Sequence, residues 1–134
     1  MRVSVTAMAR TILVVDDNAA FRGMLKTMLK MRGYEPVVAN TPAEGLKYAA
    51  IPAVEAVLVD YDIPGMNGLE FCCQLQAQNR ASGRDLPVWI MTGALDPEVG
   101  KSAGEVGALL VVRKPFNTDA MCAMLEKEFA ARKT

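Results

Sequence analysis

The stretch Ala56-Val57-Leu58-Val59-Asp60-Tyr61-Asp62-Ile63-Pro64-Gly65-Met66-Asn67-Gly68 climbs through an apolar run straight into a carboxylate and then into turn residues. The run is rich in Val and Leu, too short for a typical helix, and lacks polar alternation. That is how a strand buried on both faces of a parallel sheet reads. Asp60 then stands at or just past the carboxyl end of a central strand, the edge at which open α/β sheets bind ligands. Pro64, Gly65 and Gly68 punctuate a turn. Leu69, Phe71, Cys72 and Leu75 follow, mostly at helical spacing, in a helix expected from about Asn67 to Asn79. Taken alone, Asp60 could as well cap a helix or sit in a solvated loop; the ends of the other strands decide.

Upstream, Thr11-Ile12-Leu13-Val14-Val15 is a second buried-strand run, ending in Asp16-Asp17-Asn18. From Ala19 the period changes: Phe21, Met24, Leu25, Met28 and Leu29 fall at three- and four-residue steps, which predicts an amphipathic helix closed by Gly33. Residues 34–39 read as a strand near an edge, because Pro36 cannot donate to a ladder. Thr41, Pro42 and Glu44 open a helix as N-cap, N1 and N3 of a capping box. Downstream, residues 86–91 form a fourth strand run, ending in Thr92-Gly93. Asp96-Pro97-Glu98 opens a helix carrying Gly100, Gly104 and Gly107, expected to be the least stable because each interior Gly costs roughly 1 kcal/mol against Ala. Residues 108–112 form a fifth strand run, ending in Arg113-Lys114-Pro115-Phe116. Thr118-Asp119 caps a last helix with Met121, Met124, Leu125 and Phe129 as its apolar stripe. The Met-rich faces read as core packing. Five rounds of strand and helix predict a parallel sheet with helices on both faces and right-handed crossovers.

With 134 residues, the chain suits one domain. Residues 1–9 are expected as a flexible leader, 10–131 as the folded unit and 132–134 as a tail. The 15 basic and 15 acidic residues balance, so no general affinity for nucleic acid or an anionic membrane follows. No histidine is present, which excludes histidine-based catalysis and argues against a zinc site. Cys72, Cys73 and Cys122 lack metal-ligand spacing and read as reduced thiols of a cytosolic protein. No apolar stretch reaches membrane-spanning length.

The strand ends bring together Asp16, Asp17 and Asp60 with Thr92 and Lys114. Crowded carboxylates repel one another unless a hard cation sits among them, and oxygen-only ligands suit Mg²⁺. Carboxylates, a hydroxyl, an ammonium and no Cys or His describe a phosphoryl-transfer centre. Asp60 is the expected nucleophile, forming an acyl phosphate. Lys114 and Mg²⁺ would neutralise the phosphoryl oxygens, and Thr92 would donate a hydrogen bond to one of them.

These motifs, Ile12-Leu13-Val14-Val15-Asp16-Asp17-Asn18, Val59-Asp60 through Gly68, Met91-Thr92-Gly93 and Arg113-Lys114-Pro115-Phe116, resemble those of the receiver domains of two-component response regulators, of the stand-alone chemotaxis kind. The resemblance runs from about Arg10 to Phe129. It implies a flavodoxin-like doubly wound α/β fold with strand order 2-1-3-4-5. It also implies direct Mg²⁺ ligation by Asp17, Asp60 and the Asp62 backbone carbonyl, with Asp16 acting mainly through water. The phosphodonor is then a histidine kinase or phosphotransfer protein, with no nucleic acid or membrane partner and a monomer or weak dimer expected. Phosphorylation would act through the face formed by helix four, strand five and helix five. Beyond phosphoryl uptake and slow autodephosphorylation, no enzymatic activity is expected.

In the family a Tyr or Phe usually lies three residues before the Lys; here that position is Val111. Output is therefore expected to use backbone shifts between Thr92 and Gly104. Asp60-Tyr61-Asp62 is also a D-x-D, as in haloacid-dehalogenase-like phosphatases, but there the motif lies on the first strand and the acidic pair comes late. The alternative is a degenerate receiver serving as an unphosphorylated interaction module. The short distance from the last helix to Thr134 leads to the expectation of a stand-alone chain or a fragment of a longer one.

Overall fold

A computed structural model of the chain describes residues 9–93, 97–105, 107–108, 110–113 and 117–132. The elements alternate: β1 (Thr11–Val15), α1 (Ala19–Met31), β2 (Glu35–Ala39), α2 (Pro42–Ala49), β3 (Val54–Asp60), α3 (Gly68–Ser82), β4 (Val88–Thr92), α4 (Pro97–Glu105), β5 (Leu110–Arg113) and α5 (Thr118–Ala131). One five-stranded sheet runs β2-β1-β3-β4-β5, and every pairing is parallel. This is the doubly wound, flavodoxin-like arrangement expected from the sequence. β2 lies at an edge, where Pro36, opposite Ile12, forfeits no inner ladder.

Successive strand residues point to opposite faces, and each face buries its own cluster. Leu13, Val15, Val57, Val59 and Ile90 pack with Ala49 of α2, Phe71, Cys72 and Leu75 of α3, and Ala103 of α4. On the other face Ile12, Val14, Leu58, Trp89 and Met91 pack with Leu25 and Leu29 of α1 and with Met121, Cys122, Leu125 and Phe129 of α5. The register jumps between β1 and β3, where Thr11 faces Val54 but Ile12 faces Ala56. Glu55 is the extra residue of a bulge. Val54 and Val57 therefore share a face although three residues apart.

The chain's small polar residues set the helix starts. Asn18, Thr41, Asn67 and Asn117 each accept a hydrogen bond from the backbone three residues on. Two of these differ from the sequence reading. The cap of α5 is Asn117, and Thr118 is already helical. Thr41 caps α2 as expected, but Glu44 reaches back to the amide of Asn40, one residue before the cap. α3 runs to Ser82, past the expected end near Asn79, and stops at Gly83, whose φ of 73° is a left-handed conformation natural to glycine. Met24, expected in the buried stripe of α1, is 40% exposed, because α1 packs on the sheet through Leu25 and Leu29, flanked by Phe21 and Met28. The expected Asp96 cap, Lys114 and most of the leader and tail lie outside the described residues.

Arg84 ties the loop before β3 to the far end of the sheet. Its Nη1 donates to the carbonyls of Ala49 (2.6 Å) and Ile51 (3.2 Å), and Nη2 to those of Pro52 (3.4 Å) and Val54 (2.6 Å). Arg84→Ala leaves these acceptors to water or to nothing, and should lower unfolding stability by about 1–3 kcal/mol in urea titrations. The thiols divide by burial. Desolvation, aided by Cys73, pushes the Cys72 thiol up to about 12, and burial also raises that of Cys122. At pH 8 both stay protonated and enclosed, while Cys73 is exposed. Maleimide should therefore add once to the native protein, at Cys73, and three times in guanidinium, read by intact mass.

Candidate functional site

The parallel sheet sends the carboxyl ends of β1, β3 and β4 to the same edge. Asp16 follows β1 directly and is fully buried. Its amide donates to Ala39 O (3.1 Å), and its Oδ1 accepts from the Asn18 amide (2.8 Å). Its carbonyl accepts from Arg22 Nη1 (2.9 Å), reaching back from the first turn of α1. Asp17 is next and exposed at the rim. Asp60 is the last residue of β3 and only 6% exposed. One carboxylate oxygen from each of Asp16, Asp17 and Asp60 lies within 4.8 Å of the others. The structure thus brings together the three carboxylates that the strand-end reasoning selected.

The segment after Asp60 is held by backbone contacts. Tyr61 N donates to Met91 O (2.8 Å), and Gly68 N donates to Tyr61 O (2.7 Å). Ile63-Pro64-Gly65-Met66 forms a turn closed by Met66 N to Ile63 O (3.2 Å), with Pro64 at its second position and Gly65 at φ 89°. Those are the residue types a type II turn requires. Gly68 has no room for a side chain: a Cβ there would lie 3.0 Å from Asp60 O and 3.0 Å from Tyr61 Cα. The Asn67–Glu70 capping box, in which each residue accepts from the other's amide at 2.9 Å, starts α3 at this contact. An Asn followed three residues later by Glu is a readable signal for it, which the sequence reading passed over.

Thr92 ends β4, is 5% exposed, and stands one residue beyond Met91, the register partner of Asp60. Asp62 is exposed, two residues past the strand. Lys114 lies outside the described residues; β5 ends at Arg113, the register partner of Thr92. The chemistry of the donor set fits a hard divalent cation: three carboxylates, oxygen donors only, with one at a solvent-facing rim that leaves room for water ligands. The sequence reading missed Arg22 as a part of this site. Its signal is a cation in the first turn of a helix, where the dipole disfavours positive charge.

The family model for the response regulator receiver domain matches residues 12–126. Among curated proteins, the chain is 33% identical over 119 residues to the phosphate regulon transcriptional regulatory protein PhoB of Klebsiella pneumoniae, covering 89% of this chain and 51% of that protein. It is 36% identical over 115 residues to the response regulator MprA of Mycobacterium leprae, covering 85% of this chain and 48% of that one. The chain thus spans about half the length of these relatives. The chemotaxis protein CheY4 of Vibrio cholerae superposes with a TM-score of 0.81 at 28% identity, covering 89% of this chain and 98% of that one. A CheY-like receiver domain protein from Methanospirillum hungatei reaches 0.84 at 24% identity, with 93% and 97% covered, and shows the fold alone. The chain belongs to the receiver domain family of two-component response regulators. Receiver domains accept phosphate from histidine kinases, a signalling role more than a catalytic one, and bind Mg²⁺ at an acidic pocket. Among the described residues, no helix is long and apolar enough to cross a membrane.

Three carboxylates this close repel one another when no cation is among them. In EDTA, Asp17→Asn should therefore raise the melting temperature, by about 1–4 °C for a domain of this size. A fall on thermal unfolding would mean that Asp17 is already balanced within the chain.

Proposed function

We propose that Asp60 is the phosphoacceptor of this receiver domain, taking a phosphoryl group from a histidine kinase or phosphotransfer protein. The observation that carries this is the placement of a buried carboxylate at the end of the central strand, with two further carboxylates within 4.8 Å. An Asp60 oxygen attacks phosphorus as the P–N bond of the donor phosphohistidine breaks, leaving an acyl phosphate. Asp16, Asp17, Asp60 and the Asp62 backbone carbonyl would hold Mg²⁺, Asp16 mainly through water. When bound, the ion neutralises charge on the phosphoryl oxygens. The Thr92 hydroxyl donates to one phosphoryl oxygen and the Lys114 ammonium pairs with another. Burial of Asp60 and Thr92 keeps bulk water from the acyl phosphate, which supports slow autodephosphorylation and no wider catalytic activity.

The receiver unit spans residues 10–131, with 1–9 as leader and 132–134 as tail. Phosphorylation shifts a two-state equilibrium read out on the face of α4, β5 and α5. Among the described side chains, α4 contributes only Ala103 to the core, which supports a helix able to shift at low cost. With Val111 where an aromatic switch usually stands, the shift passes through the backbone between Thr92 and Gly104.

Incubation with Mg²⁺ and acetyl phosphate, followed by intact-protein mass, tests the assignment. Wild type should gain one phosphoryl group; Asp60→Ala, or wild type in EDTA, should gain none. No gain in wild type, with no spectral response to beryllofluoride, would leave an interaction module that is never phosphorylated.

A further inference from the structure

Arg22 breaks a local rule. It lies in the first turn of α1, a turn with no acidic residue, at the helix end whose dipole repels cations. Departures of this kind concentrate at functional sites. Its guanidinium is half-buried, and Nη1 donates to the carbonyl of Asp16 at 2.9 Å. That carbonyl lies in the turn that carries both Asp16 and Asp17. Two further hydrogen bonds hold the turn: the Asp16 amide to Ala39 O at 3.1 Å, and the Asn18 amide to Asp16 Oδ1 at 2.8 Å. Arg22 reaches from the helix to the peptide linking the two aspartates. Rotation of that peptide would swing Asp17, the exposed member of the cluster, away from Asp60.

We propose that Arg22 is a positioning residue of the acidic pocket: by holding the Asp16 carbonyl it fixes the peptide that aims Asp17 at the cation shared with Asp60. This rests on the reading of the pocket as a divalent-cation site. The hydrogen bond and the charge of Arg22 predict opposite outcomes. A positive group beside a cation site weakens cation binding by repulsion, so charge alone would make Arg22→Met bind metal more tightly. Loss of an orienting contact does the reverse, since partners behind metal ligands are typically worth tenfold or more in affinity.

The experiment is Mn²⁺ binding to the whole chain by electron paramagnetic resonance, on wild type, Arg22→Met, Arg22→Lys and Asp17→Asn, with melting in EDTA as the check on folding. Arg22→Met should weaken Mn²⁺ binding by about tenfold. Arg22→Lys, which keeps a donor and the charge, should recover most of the affinity. Asp17→Asn should bind least. Binding by Arg22→Met as tight as wild type, or tighter, overturns the inference while leaving the cation site intact. Equal weakening in Arg22→Met and Arg22→Lys also overturns it, because a long cationic donor then fails to restore the contact. Wild type that binds no Mn²⁺ removes the cation site itself and the inference with it.

Discussion

The mutual repulsion of Asp16, Asp17 and Asp60 is the constraint on which the rest of this molecule turns. A fold that brings three carboxylates within 4.8 Å of one another works against its own stability unless something positive joins them. Two of the three are buried, so water cannot screen them fully. The core offsets that cost by fixing the strands that carry the carboxylates. β1 and β3 are adjacent, parallel and buried on both faces, so their last residues are carried to one edge regardless of what those residues prefer.

The two halves of the core divide the labour of holding it. The face under α2, α3 and α4 fixes β3 through Val57, Val59 and Phe71. On that side Gly68 lets α3 approach the Asp60 carbonyl so closely that a methyl group would press on it. The face under α1 and α5 fixes β1 through Ile12, Val14, Leu25 and Leu29. α1 also sends Arg22 back to the Asp16 carbonyl. Each aspartate-bearing turn is therefore braced by the helix that follows it: Gly68 of α3 behind Asp60, and Arg22 of α1 behind Asp16 and Asp17. At the opposite edge of the sheet, Arg84 gathers four carbonyls, and Arg10 pairs with the bulge residue Glu55 at 2.6 Å, its guanidinium 4.2 Å from the Phe129 ring centre. These contacts lie away from the carboxylates.

Much of this was legible from the chain alone. Short apolar runs ending in Asp16, Asp60 and Thr92 announce buried parallel strands, because a strand covered on both sides dispenses with polar alternation. Pro36 marked β2 as an edge, as found. What escaped the sequence reading depends on geometry between elements. The bulge at Glu55 follows from fitting β3 to β1, which no local pattern records. Met24 looks apolar enough for the core, yet α1 packs on the sheet through Phe21, Leu25, Met28 and Leu29. The partner of Arg22 is a backbone carbonyl, which only the folded turn brings within reach. The caps at Asn67 and Asn117 had signals: Glu70 stands three residues after Asn67, and Asn117 directly precedes Thr118, which reads as the cap from the sequence alone.

On the proposed reading, Asp60 at the close of the central strand, and none of the other clustered acids, receives the phosphoryl group. Borohydride reduction of the phosphorylated protein tests this most directly, since it converts an aspartyl phosphate to homoserine that peptide mass mapping can place. Homoserine should appear at position 60 alone. Homoserine at 16, 17 or 62 would contradict it, and would make Asp60 a ligand in another residue's reaction.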